Sequence, residues 1–143
     1  MPLTIKIKML LIWSLTTLGI FMAPATAEAP HFEDISPEQQ AKITEQLIKD
    51  KAYEDPRAYA LTLFEDYGWK PNQMTCLDQL WTKESNWRHK ADNPNSTAYG
   101  IAQILGEDKK HPADQISNGL RYIQHRYGTP CEAWKFWRSH YWY

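Results

Sequence analysis

Between residues 74 and 87, Met74, Leu77, Leu80, Trp81, Glu84 and Trp87 recur at intervals of three and four, the spacing of one helix face. All but one of these positions are apolar, and the exception is a carboxylic acid. Such a stripe turns toward a core, and burial there disfavours the charged carboxylate and raises its pKa. A Glu held protonated near neutral pH can donate to a leaving glycosidic oxygen, which is general acid catalysis. The same spacing also fits a Glu at the edge of the stripe that bonds a neighbouring hydroxyl. Asp92, in the run ADNPNS after this helix, is the candidate for the second carboxylate that a hydrolytic glycosidase needs. Its own surroundings read more readily as an Asx turn. Trp87, Trp134 and Trp137 have rings of the kind that stack on sugars, although a core claims such rings first. Arg88, Arg121 and Arg126 suit carboxylate ligands, although helix arginines usually face solvent.

The elements that must hold these residues all read as helices. Ser36-Pro37-Glu38-Gln39 places a capping Ser, a Pro at the first helical position and a Gln at the third, so a helix should run to about Lys51. Its apolar positions, Ala41, Ile43, Leu47 and Ile48, are sparse, which predicts weak docking or a partner. Asp55-Pro56 restarts the pattern, and Tyr59, Leu63 and Tyr67, joined by Ala60 and Phe64, form one face before Gly68 ends it. The stripe containing Glu84 follows Pro71, and residues 91–100 are turn formers. His111-Pro112 opens a further segment with Ile116, Leu120, Ile123 and Tyr127, in which Gly119 permits close helix packing and Gly128 supplies the stop. Thr129-Pro130-Cys131-Glu132 reads as a second capping box. No strand alternation, repeat or low-complexity block is evident. The expectation is an all-α protein, with a small domain over residues 72–143 and a linker and helical extension over residues 28–71.

Residues 1–27 read as a signal peptide: Lys6 and Lys8 without an acid, an apolar run over residues 9–23, and Pro24-Ala25-Thr26-Ala27 as a small-residue cleavage site. The apolar run is shorter than the ~20 residues that a membrane span needs, so no stable anchor is expected once it is cleaved. Removal leaves 116 of the 143 residues and takes the formal net charge from −1 to −3. A mildly acidic domain without a Lys/Arg block argues against nucleic acid as a partner. Six of the seven Trp and all eight Tyr lie beyond the signal, as a cleft for a neutral ligand or a core would require. Cys76 and Cys131, an even count in an exported chain, read as one disulfide. A zinc site is the sharper alternative, but neither Cys sits in a C-x-x-C, and His89, His125 and His140 lack zinc spacing. Neither metal nor cofactor is expected.

Four segments carry a family likeness: LWTKESNW (80–87), AYGIAQ (98–103), GLRYIQHRYGTPCEAW (119–134) and the closing WY. Together they resemble the soluble lytic transglycosylases of the lysozyme superfamily, most closely the short secreted members, over about residues 72–143. The resemblance implies a lysozyme-like helical domain in which Glu84 is the catalytic acid. It implies that Ser85, Tyr99 and Gln103 belong to the wall and floor of a sugar cleft. Larger members carry an A-Y-N-x-G motif whose Tyr bonds the catalytic Glu, and this chain has SHYWY instead. Tyr122 or a terminal Tyr is the expected stand-in.

The chemistry that the resemblance implies needs only one carboxyl. The Glu protonates the bond between N-acetylmuramic acid and N-acetylglucosamine, then accepts a proton from the muramoyl C6 hydroxyl as that oxygen attacks C1. Intramolecular delivery supplies part of the barrier reduction. The expected protein is a secreted monomer of periplasm or cell wall, acting on peptidoglycan strands. Two other outcomes stay open: a muramidase that uses water and Asp92, and a glycan-binding protein without catalysis.

Overall fold

The first helix begins where its cap dictates. In the computed structural model, which describes residues 35–108 and 110–143, Ser36 Oγ accepts from the Gln39 amide at 3.3 Å and Gln39 Oε1 accepts from the Ser36 amide at 3.0 Å. Both halves of the box are formed, and α1 runs Pro37–Glu54, three residues past the expected end. The signal peptide expected in residues 1–27 lies outside the described residues. Asp55 serves two helices: its amide donates to Lys51 O at 2.9 Å and closes α1, while its carboxylate accepts from the Ala58 amide at 2.9 Å and opens α2, Pro56–Thr62.

The sequence predicts one helix from here to Gly68, but the chain tightens into a 3-10 turn over Phe64–Tyr67 before Gly68 adopts φ +67°. The change occurs at Leu63, whose amide bonds Ala60 O, three residues back, rather than continuing the four-residue ladder. It lets Phe64 bury almost fully, with Trp69 edge-on against it. The indole of Trp69 then donates to Gly128 O at 2.8 Å, a contact spanning 59 residues.

Three further helices follow: α3, Gln73–Glu84; α4, Pro112–Tyr127; and α5, Pro130–His140. Between α3 and α4 lies a hairpin of β1, Ala98–Tyr99, and β2, Ile104–Leu105, antiparallel with Ala98 opposite Leu105 and Tyr99 opposite Ile104. Strands of two residues are too short to show alternation, which is why the sequence gives no sign of them. The described residues are otherwise all-α, as expected. At the start of α5 only half of the expected box forms: Thr129 Oγ1 accepts from the Glu132 amide, and the Glu132 carboxylate lies 3.8 Å from Lys135 Nζ. Among the described residues no helix is long and apolar enough to cross a membrane.

The core is built from Leu77, Leu80 and Trp81 of α3, Ile116, Leu120 and Ile123 of α4, and Ile101 of the hairpin loop, all fully buried. Ala52, Tyr59, Ala60, Phe64 and Trp69 belong to the same cluster, so the segment before residue 72 docks through its own apolar positions. The outer face of α1 keeps Ile43, Leu47 and Ile48 exposed. Gly119 sits where α4 crosses α3 and the hairpin loop: an added Cβ would lie 2.5 Å from Ala102 Cβ and 2.6 Å from Trp81 Cζ2. Neither neighbour is the end of a flexible chain, so Gly119→Ala should destabilise the fold by roughly 1–3 kcal/mol through overpacking. Urea unfolding checks this, and an unchanged midpoint refutes the close packing.

Candidate active site

Glu84 is the last residue of α3, and the chain leaves the helix abruptly after it. Ser85 caps the helix, and Asn86 and Trp87 both adopt left-handed conformations, φ +53° and +60°. For residues other than glycine this backbone costs free energy and persists only where surroundings enforce it. Ser85 Oγ donates to Ile101 O at 2.6 Å, tying the turn to the hairpin loop. The Trp87 indole is buried and donates to Asp78 Oδ1 at 2.9 Å. Arg57 braces both, 2.6 Å from Asp78 and 5.0 Å from the Trp87 ring centroid.

The carboxyl held by this turn is half-buried, and Glu84 Oε1 accepts from the Trp137 indole of α5 at 2.6 Å. Burial raises its pKa above the usual glutamate value, and the Trp137 bond, which favours the charged form, opposes this only in part. No other acid enters the balance among the described residues. Asp92 is exposed and bridges to Tyr99 through its backbone. Two tyrosines do sense the Glu84 charge. The Tyr143 hydroxyl is anchored, accepting from the Trp81 indole at 2.8 Å and donating to Ala102 O at 2.6 Å. Tyr127 is pushed up to about 12, chiefly by burial and then by Tyr122. Its hydroxyl is buried without a hydrogen bond of ordinary geometry among the described residues, while the nearby Tyr122 hydroxyl accepts from Arg126 Nη1 at 2.7 Å.

Removing the Trp137 donor withdraws the influence that holds the Glu84 pKa down. Trp137→Phe should therefore raise that pKa further, and if Glu84 acts as an acid the alkaline limb of the rate profile should move to higher pH. A pH profile of kcat/KM with an unmoved alkaline limb would contradict the pairing.

The loop over residues 99–103 is fixed from two sides. Gly100, at φ +77°, lies so close to Gln115 that an added Cβ would sit 2.4 Å from Oε1. The buried Gln115 accepts from the Ile101 amide and donates to His89 O, both at 3.0 Å. Gln103, also left-handed at φ +51°, spends its amide nitrogen on Ala91 O at 3.1 Å and Gly100 O at 2.9 Å. Beside it Gln103, Ile104, Leu105, Tyr122, Arg126 and Tyr143 help line a cavity of about 210 Å³.

The expected site residues thus separate. Gln103 and Tyr122 share this cavity with Tyr143, whose surroundings also include Glu84, although Glu84 does not itself line the cavity. Ser85 is buried and acts on the loop. Tyr99 stands in β1 with Lys110 Nζ 3.9 Å from its ring centroid. Gln115 and Tyr127 are given no role at the site by sequence reasoning, and Trp137, expected there to stack on sugar or pack in the core, instead donates to Glu84. Trp137 alone gave a signal, since a buried indole N–H needs an acceptor. Searches against protein-family models, curated proteins and solved structures each found no match to this chain.

Proposed function

We propose that this protein is a lytic transglycosylase of peptidoglycan, with Glu84 acting as acid and then as base. The observation that carries the reading is an isolated, half-buried carboxyl with a raised pKa, held by one indole donor at the end of a helix, just before a strained turn. Protonated Glu84 gives its proton to the glycosidic oxygen as the bond from muramoyl C1 breaks. The C6 hydroxyl oxygen of the same sugar then bonds C1, and its proton passes to the Glu84 carboxylate, which restores the acid. The product carries a 1,6-anhydro ring and no water is consumed. A single carboxyl suffices for this sequence of transfers, whereas hydrolysis requires a second one. The exposed position of Asp92 gives that alternative little support.

Mass analysis of the products tests the proposal. Anhydro ends, lighter by one water than reducing ends, are expected from purified peptidoglycan. Reducing ends would make the protein a hydrolase, and intact strands a binding protein.

A further inference from the structure

After α5 the chain turns back on itself. Tyr141 takes up the left-handed conformation at φ +62° while its residue stays 78% exposed, so its own burial does not hold that backbone in place. What is held lies two residues on. Tyr143 is half-buried, its ring edge-on to Tyr122 at 5.6 Å and stacked with Tyr127 at 6.2 Å between centroids. Its hydroxyl reaches two fully buried residues, accepting from the Trp81 indole at 2.8 Å and donating to Ala102 O at 2.6 Å. A hydroxyl has one proton, and this one is committed to Ala102 rather than to Glu84. Burial, and after it the Glu84 charge, push the phenol well above the usual tyrosine range, so it stays protonated and able to donate.

The two partners of this hydroxyl flank the acid. Trp81 lies three residues before Glu84 in α3, and its ring stands edge-on to that of Trp87, 4.9 Å away in the strained turn that follows. Ala102 comes directly after Ile101, whose carbonyl accepts from Ser85, the residue next to Glu84. Consecutive carbonyls of the hairpin loop are thus tied down, one to the end of α3 and the other, through Tyr143, to Trp81 one helical turn earlier. We propose that Tyr143 is a positioning residue for Glu84, its hydroxyl clamping the hairpin loop to α3 so that water is kept from the carboxyl. A phenylalanine ring would fill the same space, but a buried indole N–H and a buried carbonyl would each lose a partner. The part this clamp plays in catalysis rests on the transglycosylase reading, whereas its hold on the Glu84 proton does not.

Tyr143→Phe keeps the ring and removes the clamp. In full-length protein with isotope-labelled glutamate carboxyls, Glu84 is assigned by NMR from the signal missing in Glu84→Gln. Its titration midpoint should move to lower pH in Tyr143→Phe, as the loop loosens and water returns to the carboxyl. The alkaline limb of glycan cleavage should move the same way, and kcat/KM above it should fall by about three- to tenfold, the scale of one neutral hydrogen bond. Trp137→Phe moves both in the opposite direction, which separates loss of the clamp from loss of the indole donor. A midpoint that stays in place while urea stability falls makes Tyr143 a packing residue only and overturns the proposal, as does an upward move. Should the variant fold poorly, the wild type supplies the reading: a slowly exchanging Tyr143 hydroxyl proton with an NOE to the Trp81 indole proton is expected, and a hydroxyl in fast exchange with water overturns the clamp. Wild-type protein that leaves peptidoglycan intact, beside a midpoint lowered in Tyr143→Phe, removes the transglycosylase reading and leaves the clamp standing.

Discussion

Glu84→Gln is expected to lower glycan cleavage by about 10⁴-fold or more, at or beyond the upper end of what general acid–base catalysis contributes, because one group serves both proton transfers. The amide keeps the size of the side chain, and its carbonyl oxygen can still accept from the Trp137 indole that lies 2.6 Å from Oε1. The fold should therefore survive. Its pH dependence should change in a defined direction. The wild-type Glu84 pKa is raised in the folded state, mainly by burial. The folded protein thus binds this proton more tightly than the unfolded chain does. The stability this contributes is fully present below the unfolded glutamate pKa and is lost as pH rises through the folded one. Gln has nothing to titrate, so the stability of Glu84→Gln relative to wild type should grow across that window. Denaturant midpoints of the two proteins over a pH series, beside a turnover assay, read both effects. Cleavage by the variant at wild-type rate would sink the catalytic assignment. Asp92→Asn, at an exposed position, should have a mild effect in the same assay.

The parts of this arrangement that were legible in the sequence are those set by local chemistry. Ser36 and Gln39 cap α1 because both partners lie within four residues of each other. Glu84 announces itself by occupying an apolar stripe, and Gly119 by standing where neighbouring α4 positions are large. The hairpin escaped because two residues per strand cannot display a period, and its register is held by contacts to α3 and α4 rather than by its own pattern. The break in α2 escaped for a related reason. Leu63, Phe64 and Tyr67 fit a helix face, but the long-range packing of Phe64 and Trp69 overrides that fit. The partner of Glu84 was the least accessible, since the Trp137 bond spans 53 residues and depends on how α5 lies against α3. Ser85 shows the same limit from the other side. Its type and position beside the acid fit a cleft, and only the fold shows its hydroxyl turned to Ile101 O.

Opening the Cys76–Cys131 bridge is expected to cost stability of roughly 4 kcal/mol in the chain-entropy model, a large part of the ~5–15 kcal/mol typical of a whole domain. The bridge joins residues 55 apart in sequence, with their Cα atoms 4.9 Å apart, and it fastens the first half of α3 to the start of α5. Those two helices carry Glu84 and Trp137 near their far ends, so the bridge fixes one end of the pair and the 2.6 Å bond closes the other. Reduction therefore acts on the site as well as on stability. The Cys131 amide still donates to Gln73 Oε1 at 2.9 Å, and the Trp69 indole still reaches Gly128 O, so α5 stays docked under mild conditions. It is held less tightly, and the Trp137 donor is less often in place. The Glu84 pKa should then drift upward, as in Trp137→Phe, and the alkaline limb of activity should follow it. Urea titrations with and without reductant measure the first effect, and pH profiles of protein reduced below its unfolding midpoint measure the second. Two reactive thiols in the native protein would remove the bridge altogether. An unchanged pH profile in folded, reduced protein would show instead that core packing alone sets the Glu84–Trp137 distance.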